Sequence, residues 1–289
     1  MISLRGTWTS CNAAGADRAR RTLREGAILD CHMTSEFRYV EAGGHKTRLF
    51  GAGSGAPVVV LHGWGGRIES MAPVSACLAA AFRVVALDLP GFGESPVPNG
   101  VWGTPDYAEY VHDVLAAEGI ERARFVGHSF GAKTSLYLAA TRPELVEKLV
   151  LVGSPGLRTP PSPGVRAKRL VSRGARIAGL LGPPGKAVRG AVYKRIASQD
   201  YKDAGPMRPI LVKVVNEDLS ALLYHVASPC LLVWGTNDDA VPIAHARRME
   251  RIIPDAGLVE FDGAGHFAYL DEPERFCRIV RHFFGAPLS

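Results

Sequence analysis

Six short apolar runs rich in Val, Leu and Phe, at residues 57–61, 83–87, 123–126, 148–152, 229–234 and 257–261, recur between segments of helical length. Continuous apolar runs mark strands covered on both faces, because a strand with one wet face alternates apolar and polar side chains. Parallel neighbours need long crossovers, and the helix-length spacers supply them. The pattern predicts an α/β fold: a mostly parallel central sheet with helices on both faces. Helix starts agree, with Thr104 as N-cap before Pro105 at the first helical position, and Pro273 opening the last helix behind Asp271.

One interval breaks the alternation. Residues 156–227 hold no strand-like run, only Pro/Gly punctuation and basic amphipathic pieces such as 165–181 and 186–198. We read this interval as a helical cap, or lid, inserted in the sheet topology, with hinges at Ser154-Pro155-Gly156 and Ser228-Pro229. The core then comprises 33–155 and 228–289. Regular alternation begins only near Phe37, so residues 1–32 are expected to be a disordered leader, or translation to start at Met33. Arginines at 5, 18, 20, 21 and 24 would suit an organelle-targeting segment, but Asp17, Glu25 and Asp30 count against one, and no apolar core of signal-peptide length is present.

The formal charge is +6, and its excess is local: residues 156–224 carry thirteen Lys or Arg against four Asp or Glu. Such a patch can draw anionic substrates or acidic lipid surfaces, and a solvated helical surface explains it equally well. No apolar stretch reaches the roughly 18 residues of a membrane span. The five cysteines (Cys11, Cys31, Cys77, Cys230, Cys277) show no C-x-x-C spacing, and their odd number argues against a complete disulfide framework, so a reducing cytoplasm is expected.

Chemistry concentrates after the apolar runs. Gly127-His128-Ser129-Phe130-Gly131 follows one and precedes a helical stretch, so its glycines permit a sharp turn that lifts the Ser129 hydroxyl above a strand end. A hydroxyl becomes a nucleophile only beside a base, and the base needs a carboxylate to fix its tautomer. Asp238 and His266 follow in the order such an arrangement requires, each just past an apolar run. Spacing from Gly235 favours Asp238 over its neighbour Asp239. His266 is favoured over His245, which is expected on a helix surface beside Arg247 and Arg248. His62 and His128 are expected to hold loops by hydrogen bonds, and Asp88 to orient the loop before Gly91. An oxyanion site needs fixed donors: the glycine-rich loop His62-Gly63-Trp64-Gly65-Gly66 can aim the Trp64 amide inward, and the Phe130 amide opens a helix. The Trp64 ring either lines the pocket or merely packs.

Two other motifs fail on context. Gly51-Ala52-Gly53-Ser54-Gly55-Ala56 fits G-x-G-x-x-A, but a strand follows where a dinucleotide site needs a helix. Ala132 interrupts the Gly-Lys pair of a P-loop between Gly127 and Thr134. No cofactor is expected, no metal is implied by the His and Cys spacing, and no nucleic-acid partner is expected.

The segments VVVLHGWGG (58–66), DLPGFGES (88–95), GHSFG around Ser129, WGTNDDAVP (234–242) and GAGHFAYLDEPERF (263–276) together resemble the α/β-hydrolase fold superfamily in its serine-dependent, esterase-like branch. The resemblance covers roughly residues 37–286. It implies that Ser129, Asp238 and His266 form a catalytic triad, that the Trp64 and Phe130 amides form the oxyanion site, and that 156–227 occupies the position of the variable lid. Related dehalogenases and epoxide hydrolases use an aspartate nucleophile, and Ser129 argues against both. The expected activity is hydrolysis of a carboxylic ester of a small molecule through an acyl-enzyme, the basic insert extending this to an anionic portion of the substrate. Acyl transfer or carbon–carbon bond hydrolysis by the same triad, and a low-turnover ligand-binding or membrane-surface module, are the alternatives.

Overall fold

The computed structural model describes residues 35–157 and 199–286, and helices are numbered among these. Strands β1 (Ser35–Ala42) and β2 (His45–Ala52) form an antiparallel hairpin. Its two-residue turn is Gly43-Gly44, with φ of 52° and 74°, the left-handed conformation that tight hairpin turns require. β2 joins the sheet antiparallel to β4 (Arg83–Leu87). β3 (Pro57–Leu61), β4, β5 (Ala123–His128), β6 (Val146–Val152), β7 (Cys230–Gly235) and β8 (Ala256–Phe261) run parallel, in the order β1-β2-β4-β3-β5-β6-β7-β8. The six apolar runs are thus strands β3 to β8, and the hairpin adds two strands outside those runs.

The helices are α1 (Ala72–Ala79), α2 (Thr104–Ala117), α3 (Phe130–Thr141), α4 (Gln199–Asp203), α5 (Arg208–Asn216), α6 (Ala244–Ile252), α7 (Ala268–Asp271) and α8 (Pro273–Phe283). Successive strand residues point to opposite faces, so the runs divide between two cores. Val59, Leu61, Val85, Leu87, Phe125, Leu149 and Leu151 pack with Val111 of α2, Leu136 of α3 and Met249 of α6. Val58, Val60, Val84, Ala86, Val126, Val150 and Val152 pack with Leu78 of α1 and with Phe276 and Val280 of α8. Between β6 and β7 the regular structure among the described residues is helical: α4, α5 and the 3-10 turns Gly205–Met207 and Leu222–His225. The pieces 165–181 and 186–198, like the leader 1–32, lie outside the described residues.

Two expectations are corrected. Gly103, not Thr104, is the N-cap of α2; Thr104 and Pro105 are its first two helical residues, and Asp106 Oδ2 accepts the Gly103 N–H at 2.6 Å. Cys77 and Cys277 are disulfide-bonded, their Cα atoms 6.0 Å apart, while Cys230 is a buried free thiol. The bond links α1 to α8, which share one sheet face, and a separation of 200 residues leaves no local spacing to reveal it.

The parallel registers Leu61↔Leu87, His128↔Val152 and Gly235↔Phe261 align the carboxyl ends of β3 to β8 along one rim. Open α/β sheets place their ligand crevice outside such a rim.

Candidate active site

Ser129 sits on that rim, between β5 and α3, with φ 50° and ψ −110°. It is the only non-glycine residue of positive φ among the described residues. Such strain persists only where surroundings over-determine it. Here the Ser129 N–H donates to Val152 O at 2.8 Å and its carbonyl accepts the Lys133 N–H at 2.9 Å. The flanking glycines are needed for space: a Cβ on Gly127 would lie 2.5 Å from Ala132 Cα, and one on Gly131 would lie 2.4 Å from Leu61 O.

Asp238 ends the turn after β7. Its Oδ1 accepts the Ala240 and Val241 amides at 2.9 and 2.8 Å, which leaves Oδ2 for His266 Nδ1 at 2.8 Å. Asp239 is exposed, so the structure selects Asp238 as the partner of His266. The loops after β7 and β8 lie in close contact, since a Cβ on Gly235 would meet Ala264 O at 2.2 Å. Asp238 and His266 are both buried. Because Nδ1 is bonded to the carboxylate, the opposite ring nitrogen, Nε2, remains for other chemistry.

Gly153, directly after β6, brings the parts together. A Cβ there would lie 2.9 Å from His266 Cε1 and Nδ1 and 3.3 Å from Asp238 Oδ2. Val152, its chain neighbour, holds the Ser129 backbone. The sequence signal was faint: a glycine closing an apolar run, in Val152-Gly153-Ser154-Pro155-Gly156.

His62 and His128 hold loops by hydrogen bonds, as expected. His128 Nε2–H donates to the His266 carbonyl at 3.0 Å, with the two ring centroids 4.8 Å apart. Burial, with the charge His266 would carry, holds the His128 pKa well below its ordinary value, so the ring is a neutral donor. His62 Nε2 accepts the Leu89 N–H at 3.0 Å, so its proton sits on Nδ1 and is donated to Gly63 O at 2.8 Å. Burial lowers its pKa as well. His62 thereby ties the loop after β3 to the loop after β4. Asp88 orients that second loop, accepting the Ile68 and Glu94 amides at 2.7 and 3.0 Å. His245 is corrected: it is buried, because the inner face of α6 runs through His245, Ala246 and Met249.

The loop after β3 passes beside Ser129, where a Cβ on Gly63 would lie 3.2 Å from Ser129 Cβ. A Gly66 N–H to Gly63 O bond of 3.0 Å closes a turn with Trp64 and Gly65 at its centre. The Trp64 ring packs edge-on against Phe92 and Phe130, at centroid distances of 4.8 and 5.6 Å. Phe130 is the first residue of α3, so its N–H has no intrahelical acceptor and lies at the positive end of the helix. Among the described residues, Glu109, His112 and Asp113 could converge on a cation. They belong to α2 rather than to the rim, and Glu109 is already held by Arg142 at 2.7 Å.

A family model for the alpha/beta hydrolase fold matches residues 56–195 and 190–273. A pimeloyl-[acyl-carrier protein] methyl ester esterase of Chromobacterium violaceum is 31% identical over 250 residues, covering 79% of this chain and 94% of that protein. A 2-hydroxymuconate semialdehyde hydrolase of Pseudomonas putida is 29% identical over 267 residues, covering 85% and 93%. A solved serine hydrolase involved in carbazole degradation is similar in fold, with a TM-score of 0.68 and 26% identity over 87% of this chain and 99% of that one. Rim, strained serine and matched segments agree: the chain belongs to the alpha/beta hydrolase fold family and is a hydrolase.

Proposed function

We propose that the chain hydrolyses a carboxylic ester of a small molecule, with Ser129 as nucleophile, His266 as general base and Asp238 as the carboxylate that orients it. The observation that carries this reading is the buried 2.8 Å pair of His266 Nδ1 and Asp238 Oδ2, packed on Gly153 beside a strained serine. His266 Nε2 takes the Ser129 proton as Oγ attacks the ester carbonyl, and Asp238 stabilises the imidazolium. The Trp64 and Phe130 amides stabilise the tetrahedral oxyanion, a donation worth on the order of 3 kcal/mol per donor. Collapse expels the alcohol, which takes the proton from His266. Water, deprotonated by His266, then attacks the acyl-enzyme, and the acid leaves. None of these steps calls for a cofactor.

The same proposal makes residues 156–227 a cap over the rim, with its basic excess facing an anionic portion of the substrate. It also locates the enzyme in the cytoplasm, against which the Cys77–Cys277 bond weighs, since disulfides persist in oxidising surroundings.

Carbon–carbon bond hydrolysis is the second reading, favoured by relatives such as the 2-hydroxymuconate semialdehyde hydrolase. Short p-nitrophenyl esters test the first. Wild type should release nitrophenol and Ser129→Ala should not. Undiminished release by purified Ser129→Ala ends the triad assignment, whereas wild type inert on esters and active on 2-hydroxymuconate semialdehyde moves the assignment to the second reading.

A further inference from the structure

Lys133 is a lysine that its own helix does not explain. It lies near the start of α3, where the helix dipole disfavours a cation, and it is only 2% exposed. Burying an ammonium costs several kcal/mol unless its protons are satisfied, and burial accordingly lowers its pKa. Its partners all come from the end of α5. Nζ donates to Val214 O at 2.5 Å and to Glu217 O at 3.2 Å, and lies 3.7 Å from Glu217 Oε2. These groups form the carbonyl-rich, negative end of α5, where a cation is favoured. Glu217 in turn accepts the Thr104 N–H with both oxygens at 3.1 Å, which caps α2. Gly103 makes room for that carboxylate, since a Cβ there would lie 2.2 Å from Glu217 Oε1.

The opposite end of α5 reaches the rim. Met207, just before the helix, sits on Gly91, where a Cβ would fall 2.3 Å from Met207 Cε. The neighbouring Phe92 ring is the one against Trp64. Movement of α5 at its latched end is therefore carried to the side chains beside Ser129.

We propose that Lys133 is a positioning residue that latches α5, through Val214 and Glu217, to the helix that follows Ser129, and so sets how large an acyl group the site accepts. The proposal rests on the ester reading given above. Lys133 touches no reacting atom; it acts through α5.

The test compares Lys133→Met, Glu217→Gln and Gly103→Ala in the full chain on p-nitrophenyl acetate and octanoate, with amide hydrogen exchange of each. Lys133→Met should raise KM for octanoate about tenfold while kcat/KM for acetate moves less than about twofold, the split expected when positioning rather than chemistry is lost. Exchange should quicken at residues 208–219. Gly103→Ala crowds the Glu217 carboxylate and also the Lys213 side chain, whose Cε would lie 2.7 Å from the new Cβ, and its backbone, with φ −114°, accepts alanine. It should move KM in the same direction, and Glu217→Gln, which keeps an acceptor for Thr104, should move it less. Unchanged octanoate KM, equal loss on both esters, or unchanged exchange at 208–219 overturns the latch. Should Lys133→Met fail to fold, the same criteria apply to Gly103→Ala. Should wild type hydrolyse neither ester, the ester reading falls, and exchange at 208–219 still decides the latch.

Discussion

Gly153 shows how much of the site rests on a residue without a side chain. An alanine there would take a φ of 56° at about 1–2 kcal/mol and push a methyl group against the His266 ring and the Asp238 carboxylate. Gly153→Ala should therefore lower kcat at least about tenfold by displacing the base, while a thermal melt records only a modest loss of stability; unaltered kcat would refute the packing argument. Asp238→Asn keeps the shape but offers Nδ1 the wrong partner. Its kcat should fall by roughly four orders of magnitude, the scale seen when a triad carboxylate becomes an amide, and steady-state kinetics with full soluble folding would check this. The rim placement of Ser129, Asp238 and His266 was legible in the chain because each stands within five residues of the end of an apolar run. The packing of Gly153, the His128 bond to the His266 carbonyl and the burial of Lys133 against α5 were not, because each depends on a contact between segments far apart in sequence. His245 misled because two neighbouring arginines mark the outer face of α6, whereas its own position faces in.

At the scale of elements, β3 to β8 were readable because both of their faces are apolar. The β1–β2 hairpin was not, since Ser35–Ala42 is polar and largely exposed and carries no continuous run. The α1–α8 disulfide was hidden for a different reason: only packing of both helices on one sheet face brings Cys77 to Cys277. Closing so long a loop constrains the unfolded chain, so reduction should cost about 2–4 kcal/mol of stability. Urea melts with and without dithiothreitol, backed by non-reducing peptide mapping that finds Cys77 and Cys277 in one fragment, would check it; coincident melts would contradict it.

Across the whole molecule, the buried histidines link stability to pH. His62 and His128 have folded pKa values depressed below the ordinary 6.5. The unfolded chain therefore binds protons first as pH falls, so this stability is present above about pH 6.5 and is lost below it. Chemical melts at pH 7.5 and pH 5 should show the loss, of up to about 1.4 kcal/mol per histidine for each pH unit below 6.5; stability unchanged or higher at pH 5 would contradict it. The compartment is open to a similarly direct check, in which thiol trapping from intact cells finds Cys77 free if the protein resides in the cytoplasm and bonded if it does not. The parallel sheet was legible as a whole because its runs alternate with helices, whereas residues 156–227 carry no such pattern to read. Everything functional still depends on Ser129 being a nucleophile armed by His266. Mass spectrometry of the protein treated with a fluorophosphonate probe tests that most directly: one adduct per chain on the peptide bearing Ser129, lost in His266→Ala, is the predicted result, and an unlabelled Ser129 in protein that turns over esters would contradict it.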